Sequence, residues 1–314
     1  MGNDREMTIS VSSTWSWVIV VGNDRGIMKV ALLLNNFAKA GRANDYLEQV
    51  LNRLKFHGQS PDILSPNSAD QVKKEVSESS ADRIIVAGGD GSLHYAANAL
   101  ANTDRTLGLI PLGTGNDAAR ALGISDGDLA NYVDRTLEDP SPIDLVKSGS
   151  RYFVTSCIMG FPSKVNQRSN AMQFPKGQSR YTVATLAELK SLESERYWLE
   201  LDEGNFEIEA TAVVVANTSF FGGGMKICPE ADPCDGILDI CVLGDVSRMK
   251  LLHSFTKIRN GSHVHESEVF LYRSRSIGIR ADGRARADGE PYADLPLTMK
   301  VQPNALLVAG VRLA

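Results

Sequence analysis

Two glycine-rich segments, each lying between a short apolar run and a helical pattern, constrain the fold of this chain most strongly. Arg83–Ala87 runs directly into Gly88–Ser92 (GGDGS), and Thr106–Pro111 runs into Leu112–Asp117 (LGTGND). Apolar runs of this length are typical of strands buried on both faces. Since strands that alternate with helices form parallel sheets covered on both sides, we predict an α/β unit over residues 28–140.

The pattern changes after Asp139–Pro142 (DPSP), which we interpret as the boundary between two domains. A length of 314 residues agrees with two domains. Residues 141–314 are predicted to form a β-rich domain in which only Tyr181–Ser191 and Ser247–Ile258 are helical. The predicted strands are Ser150–Cys157, Tyr197–Asp202, Phe206–Asn217, Leu238–Leu243, Glu268–Tyr272, Ser276–Arg280 and Thr298–Val301.

Residues 1–27 form an N-terminal extension that fits neither pattern. Met28 stands directly before the first clear strand, Lys29–Leu34, so the extension either precedes the native start or adds an edge strand. No stretch reaches the ~20 apolar residues that a membrane-spanning helix needs. The N-terminal pattern also lacks the features of a signal peptide.

Composition narrows the functional classes. The hydrophobic fraction is 43%, the charged fraction 23% and the formal net charge −5, as in ordinary globular proteins. Lys and Arg are spread through the chain, so no nucleic-acid partner is expected. The cysteines have no zinc-site spacing and are interpreted as free thiols of a cytoplasmic protein: Cys157, Cys228, Cys234 and Cys241.

The two glycine-rich segments have the chemistry of phosphate loops. Glycine lets the backbone approach a phosphate closely, and the free N–H groups at the start of a helix attract anions. Asp90 and Asp117 lie within these loops. Because a carboxylate repels a phosphate unless a cation separates them, both acids point to Mg²⁺. A single glycine-rich turn usually only connects strand to helix; two of the same kind, each with an acid, favour phosphate and metal.

The order of motifs resembles the diacylglycerol kinase catalytic-domain family, which is related to sphingosine and ceramide kinases. GGDGS at Gly88–Ser92 precedes PLGTGND at Pro111–Asp117, and Phe221–Gly224 (FGGG), Pro229–Asp239 (PEADPCDGILD) and Ala287–Glu290 (ADGE) follow in the order seen in soluble bacterial members. The resemblance implies a nucleotide-binding α/β domain, a β-rich lipid-binding domain and an active site in the cleft between them.

The same resemblance implies a set of nucleotide contacts. Asn36 replaces the usual proline of the first phosphate loop, Lys39 replaces a small residue, and His94-Tyr95 stands where the family often has Asn-Glu. We interpret His94 as a non-catalytic helix residue. The implied ATP-binding positions are Asn35, Asn36, Phe37, Ala38, Lys39, Ser65, Gly88, Gly89, Asp90, Gly91, Ser92, Leu93, His94, Tyr95, Gly113, Thr114 and Asn116.

The resemblance also assigns the acids. Asp288 would be the general base for the lipid hydroxyl, chosen over Asp282 because Glu290 follows it in family register. Glu290 would be a catalytic acid that joins three others in holding the catalytic Mg²⁺: Asp90, Asp117 and Asp144. A second, structural Mg²⁺ would be bound by Asp232, Asp235 and the carbonyl of Ile237, although an acidic surface turn is an alternative.

A basic segment suggests how such an enzyme meets a membrane. Gly160–Lys190 contains five cations against one acid, Glu188, with aromatic and Met side chains interleaved. It is either an interfacial docking face, or the lip of an acyl pocket, or a solvated loop and helix. Its cations are Lys164, Arg168, Lys176, Arg180 and Lys190.

The expected activity is transfer of the γ-phosphoryl group of ATP to a lipid hydroxyl, with diacylglycerol as the first substrate and phosphatidic acid as the product. The expected partners are ATP and a lipid at a membrane surface, with peripheral membrane association, and a homodimer is left open. The alternatives are a sphingoid or polyprenyl alcohol as acceptor, an NAD kinase, and a non-catalytic nucleotide- or lipid-binding regulator.

Overall fold

The computed structural model describes residues 28–34, 42–175 and 179–313. The extension 1–27, the predicted nucleotide contacts at positions 35–39 and the basic residue Lys176 lie outside the described residues. No helix of the described chain is both long and apolar enough to cross a membrane.

The first unit alternates strands and helices, as the sequence predicts. Its elements are β1 (Val30–Leu34), α1 (Arg42–Phe56), β2 (Asp62–Leu64), α2 (Ala69–Glu78), β3 (Arg83–Gly88), α3 (Asp90–Leu100), β4 (Thr106–Pro111), α4 (Asp117–Ala121) and α5 (Leu129–Arg135).

The strands of this unit are parallel and lie in the order β2, β1, β3, β4. Successive side chains of a strand point to opposite faces, and β1 shows the result. Leu33 packs with Val72 of α2 on one face, whereas Leu32 packs with Val50 of α1 on the other. Because helices cover both faces, β1, β3 and β4 are buried along their whole length and are apolar except at Arg83 and Thr106, which begin β3 and β4. The predicted parallel α/β unit is confirmed.

The second unit is rich in antiparallel strands, which confirms the predicted β-rich half. Its elements are β5 (Pro140–Ser148), β6 (Arg151–Phe153), β7 (Ser156–Gly160), α6 (Phe161–Ala171), α7 (Ser179–Glu188), β8 (Glu195–Leu201), β9 (Gly204–Ala216), β10 (Phe220–Phe221), β11 (Met225–Lys226), β12 (Leu238–Gly244), α8 (Arg248–Ile258), β13 (Val269–Ser274), β14 (Ser276–Arg280), β15 (Arg284–Ala287), β16 (Glu290–Asp294) and β17 (Leu297–Ala309).

The last strand joins the two units. β17 pairs with β5 from Lys300 to Ala309. Its remaining edge pairs first with β14, at Leu297–Lys300, and then in parallel with β4, at Leu307 and Val308. A single sheet therefore passes from the second unit into the first.

Several elements differ from the prediction: β5, β10, β11, β15 and β16 were not predicted as strands, and the predicted strand Ser150–Cys157 is divided into β6 and β7. The structure contains α5 and α6, which were not predicted. The buried face of α6 includes the polar side chains Ser163, Asn166 and Ser169, so it lacks a clear apolar stripe. The predicted strand Thr298–Val301 is only the first part of β17, because the chain continues across an irregularity between Gln302 and Leu306.

Candidate active site

The two glycine-rich loops lie against each other at the carboxyl ends of β3 and β4. Gly88 and Pro111 are paired residues of these strands, so the loops that follow them start side by side. A Cβ placed on Gly89 would lie 2.9 Å from the Cα of Gly113, and one placed on Gly113 would lie 2.5 Å from the Cα of Gly89. Glycine is therefore required at both positions, since any side chain would push the loops apart.

Asp90 and Asp117 meet beside these loops. Asp90 Oδ1 accepts a hydrogen bond from the N–H of Ala118 at 3.2 Å. A Cβ placed on Gly115 would lie 2.8 Å from Asp90 Oδ2 and 3.7 Å from Asp117 Oδ2, so both carboxylates border the same small space. Asp117 also accepts hydrogen bonds from the N–H groups of Gly223 and Gly224 in the FGGG segment, at 2.8 and 2.7 Å.

This pair of carboxylates is short of positive charge. Burial raises the pKa of Asp90 to about 7, and the nearby charge of Asp117 adds to the shift. Burial also raises the pKa of Asp117, although the glycine N–H donors and Arg120 act against it. The guanidinium of Arg120 lies 3.4 Å from Asp117 Oδ1. Two adjacent carboxylates whose pKa values are raised by burial are what a divalent cation would neutralise.

Asp288 lies in the tight turn between β15 and β16 and is well compensated. Its carboxylate accepts hydrogen bonds from Val154 N–H at 2.9 Å and from the N–H and hydroxyl of Thr155, both at 2.7 Å. His94 Nδ1 lies 2.8 Å from Asp288 Oδ2, the oxygen that also accepts from Val154 N–H. Burial by itself would raise the pKa of Asp288, but His94 and these donors hold it below its ordinary value.

His94 therefore has a role that sequence reasoning missed. It lies on α3 in the first unit, yet its buried imidazole contacts Asp288 of the second unit. A carboxylate that stays ionised can only accept, so His94 Nδ1 is the donor. The interpretation of His94 as a non-catalytic helix residue stays a prediction, and the structure adds that His94 is a direct partner of Asp288. The only signal was its departure from the family pattern, four residues after Asp90.

Glu290 also reaches α3. The hydroxyl of Tyr95 donates to Glu290 Oε2 at 3.0 Å, and burial together with Glu290 raises the pKa of Tyr95 to about 12. A Cβ placed on Gly91 would lie 2.9 Å from Glu290 Oε1. The first turn of α3 thus contacts both acids of the ADGE segment.

Asp144 does not join this group. Its Oδ2 accepts from Gly236 N–H and its Oδ1 from Asn304 N–H, both at 2.8 Å. The structure therefore places Asp144 against the second acidic loop, and its share in holding the catalytic Mg²⁺ stays a prediction. Its carboxylate oxygens hold the backbone of that loop to β17.

The second acidic loop is satisfied largely by its own chain. Asp232 Oδ1 accepts from Cys234 N–H and Asp235 Oδ1 from Ile237 N–H, both at 2.9 Å, and Asp235 also pairs with Arg273. Among the described residues, no three His, Cys, Asp or Glu side chains are arranged as a ready-made metal site. The structural Mg²⁺ site stays a prediction.

The remaining predicted nucleotide positions surround the two loops. Ser65 is exposed just after β2. Thr114 lines the same space as Asp90. Asn116 has a positive φ of 53° and donates to the carbonyls of Pro111 and Gly113, so its side chain shapes the second loop. Their contacts with a nucleotide stay predictions.

A cavity of about 300 Å³ extends from the acids into the second unit. Asp90, Asp117, Asp288 and Glu290 line one part of it. The other walls come from β7, β9, β12 and the helices α6, α7 and α8, and they are largely apolar. These walls include Ile158, Phe161, Val165, Val214, Met225, Ile227, Leu243, Leu251, Phe255 and Ile258. The cavity thus joins a charged end to an apolar one.

A chain of hydrogen bonds connects α7 to the turn that carries Asp288. Asn166 on α6 donates to the hydroxyl of Tyr181 on α7 at 2.9 Å and accepts from Arg286. Arg286 and Asn170 both donate to the carbonyl of Gly289 at 3.0 Å. Polar side chains of α6 and α7 and the turn that carries Asp288 are therefore parts of one network.

Two of the basic residues predicted for membrane docking form ion pairs within the fold. Lys164 pairs with Glu195 at 3.1 Å, and Arg168 pairs with Glu188. Their charges are therefore partly neutralised within the protein.

Comparison with known proteins fits this geometry. The diacylglycerol kinase catalytic domain matches residues 29–148, and the YegS C-terminal NAD kinase beta sandwich-like domain matches residues 155–310. The chain is 36% identical over 298 residues to a diacylglycerol kinase of Mycobacterium tuberculosis, covering 91% of this chain and 96% of that one. The chain belongs to the diacylglycerol kinase family.

Two further relatives support membership of the diacylglycerol kinase family. A diacylglycerol kinase of Bacillus subtilis is 28% identical over 267 residues, which is 80% of this chain and 86% of that one. A crystal structure of a Bacillus anthracis protein assigned as a diacylglycerol kinase superposes with a TM-score of 0.74 at 25% identity, covering 90% of this chain and 96% of that one. The family resemblance and the two-part fold predicted from the motifs are both confirmed. A member of this family is a kinase, that is, a phosphotransferase.

Proposed function

We propose that this kinase transfers the γ-phosphoryl group of ATP to the hydroxyl group of diacylglycerol, with Mg²⁺, and forms phosphatidic acid. The observation that carries the proposal is the composition of the cavity. Four carboxylates line one end, and the other walls are mainly apolar with polar side chains such as Asn166, Tyr181 and Thr185 among them, which suits a substrate with a reacting hydroxyl and long hydrocarbon chains.

ATP would bind at the two touching loops of the first unit. Their glycines leave backbone N–H groups open to phosphate oxygens, and α3 begins directly after Gly89. The γ-phosphate would then face the second unit, because Thr114 and Gly115 line the cavity together with Asp288.

The residues present fit a divalent cation. Asp90 and Asp117 border one space, and their pKa values are raised because burial desolvates both carboxylates. These two carboxylates would hold Mg²⁺, with Glu290 close enough to take part through water, since Mg²⁺ often keeps several waters. Bound there, Mg²⁺ would neutralise negative charge on the transferred phosphoryl group.

Asp288 would orient the lipid hydroxyl and accept its proton on a carboxylate oxygen. Its lowered pKa makes it a weak base before transfer. That is compatible with phosphoryl transfer, in which the bond to the leaving group is largely broken before the attacking oxygen loses its proton. His94 would hold the carboxylate in place, and the apolar walls would exclude water from the transferred group.

The test is transfer of radiolabelled phosphate from ATP to a panel of acceptors, with Mg²⁺ and with EDTA. Diacylglycerol should be labelled with Mg²⁺ and not with EDTA. Stronger labelling of a sphingoid or polyprenyl alcohol would keep the reaction and change the substrate. Labelling of NAD alone would identify an NAD kinase, and ATP binding without any transfer would favour a regulator.

A further inference from the structure

Helix α7 has one uncharged face toward the cavity and another toward the protein surface. Tyr181 and Thr185 on its inner face line the apolar cavity. Val183 and Leu186 lie on its outer face, where 42% and 51% of their surfaces are exposed. No charged residue occurs within Tyr181–Ala187, so the exposed face is interrupted only by small or hydroxyl side chains.

Two more exposed apolar side chains extend this face. Phe174 is 83% exposed and Met249, at the start of α8, is 76% exposed. Arg180 at the start of α7 donates to the carbonyl of Pro175 at 3.1 Å, which places the segment of Phe174 next to the helix. We call these four side chains the α7 face: Phe174, Val183, Leu186 and Met249.

Basic residues border the α7 face. Arg180 lies at the first turn of α7, and Lys190 follows its last turn. Arg248 of α8 donates to the carbonyl of Lys190 at 3.0 Å, so the two helices and their cations are neighbours. Glu188, the acid of α7, is largely covered and paired with Arg168 of α6. An apolar centre with a basic border is complementary to an anionic lipid surface.

We propose that the α7 face inserts into the surface of an anionic phospholipid bilayer. Scattered exposed apolar residues are normal, but these lie on and beside the helix that forms a wall of the cavity. The inference rests on the proposed function, because a bilayer is where a diacylglycerol substrate is dissolved. Docking through α7 would bring the cavity wall against the bilayer that contains the substrate. Insertion of apolar side chains would hold the protein there more than Lys164 and Arg168 do, since both are ion-paired.

The test compares two double variants in co-sedimentation with vesicles of phosphatidylcholine and phosphatidylglycerol. Val183→Ser with Leu186→Ser should weaken vesicle binding about tenfold or more, since two branched apolar side chains leave the interface. Phe56→Ser with Ile63→Ser removes similarly exposed apolar surface from α1 and β2 and should bind as the unchanged protein does. Thermal unfolding checks that both variants fold.

Activity separates docking from chemistry. The α7 variant should phosphorylate a short-chain diacylglycerol dissolved as monomers at the unchanged rate, and long-chain diacylglycerol in vesicles more slowly. If the unchanged protein binds vesicles through the α7 face but phosphorylates no lipid, the proposed function fails and the docking stands. Equal vesicle binding by the α7 variant overturns the docking. So does self-association without lipid that only this variant abolishes, because a second copy would then be the occupant.

Discussion

The cavity has two groups of buried carboxylates, and the fold compensates them in opposite ways. Asp288 receives four hydrogen bonds, and its pKa lies below the ordinary value. Asp90 receives a bond from Ala118 N–H and lies beside Asp117, and its pKa is raised to about 7. Both acids are desolvated, so the difference lies in the partners that the protein supplies.

The protein alone therefore compensates the charge of Asp288, whereas it leaves the charges of Asp90 and Asp117 incompletely compensated. The charge of Asp288 is stabilised by the fold itself, as suits a residue that must hold an acceptor hydroxyl in one geometry. In the proposed function, a cation from outside would neutralise the charges of Asp90 and Asp117, as suits a site that would assemble only when metal and nucleotide arrive. The same substitution, Asp to Asn, should therefore have opposite consequences at the two places.

The largest effect is expected for Asp288→Asn. Turnover should fall ~10²–10⁴-fold, because general-base assistance contributes about that much. Stability should also fall, since an amide group cannot accept all four hydrogen bonds. Nucleotide affinity should stay near that of the unchanged protein, as the loops that would bind ATP lie in the first unit. The measurements are phosphate transfer to diacylglycerol in mixed micelles and separate nucleotide binding.

Asp282→Asn is the matched control for that variant, since Asp282 is an exposed residue of the neighbouring Asp-Gly turn. It should be nearly silent. If Asp282→Asn were inactive and Asp288→Asn active, the assignment of the ADGE segment would be wrong.

Asp90→Asn should instead stabilise the metal-free protein at neutral pH. A carboxyl whose folded pKa of about 7 exceeds its unfolded value favours folding only at low pH, and that contribution is lost as pH rises from about 4 through 7. Removing the charge should therefore raise the free energy of unfolding by ~1–3 kcal/mol above pH 7 and by little near pH 4. Thermal unfolding at both pH values, in EDTA, measures the difference.

The same thermal unfolding is then measured with Mg²⁺ in place of EDTA. Mg²⁺ should raise the melting temperature of the unchanged protein and have less effect on Asp90→Asn. Equal Mg²⁺ dependence in both proteins would contradict a metal at Asp90, and destabilisation of Asp90→Asn at pH 7 would contradict the missing-cation interpretation.

His94→Ala should give a smaller effect than loss of Asp288 itself. Without the imidazole, Asp288 loses one donor, so its pKa should rise and kcat should fall ~10-fold, roughly the effect of one ~1.5 kcal/mol charge-assisted hydrogen bond. The sign follows from the lowered pKa: the acid limb of the kcat–pH profile should move to higher pH. His94→Asn, which keeps a donor, should recover part of the loss. An unshifted pH profile would mean that His94 only fills space.

The smallest effect is expected at the acidic loop. Asp235→Asn removes the charged partner of Arg273 and keeps an oxygen that can accept from Ile237 N–H, so it should cost ~1 kcal/mol or less because the pair is partly exposed. A structural metal is best tested in a protein that already carries Asp90→Asn. If Mg²⁺ still stabilises that variant, and the stabilisation disappears when Asp235→Asn is added, the acidic loop binds a structural metal. If Mg²⁺ does not stabilise the Asp90→Asn variant, the acidic loop is only a turn.

Local sequence patterns predicted that Asp90 and Asp117 meet, but they did not predict the partners of Asp288. Asp90 and Asp117 follow strands whose apolar runs mark them as neighbours in a parallel sheet, so their meeting was readable from the sequence. The contact of His94 with Asp288 joins residues 194 positions apart and depends on how the second unit folds back. Nothing in the spacing of either segment encodes that approach. The contacts of Asp144 could not be predicted for the same reason, since its partners Gly236 and Asn304 are distant in the chain.

The position of β17 sets an order for folding during synthesis. β4 is flanked by β3 on one side and by the final residues of β17 on the other, so the sheet of the first unit has an open, apolar edge until Leu307 and Val308 emerge from the ribosome. Such an edge is prone to pair with other chains. The first unit should consequently be a poor independent fragment, and truncation before Leu306 should yield aggregated protein instead of a smaller nucleotide-binding domain.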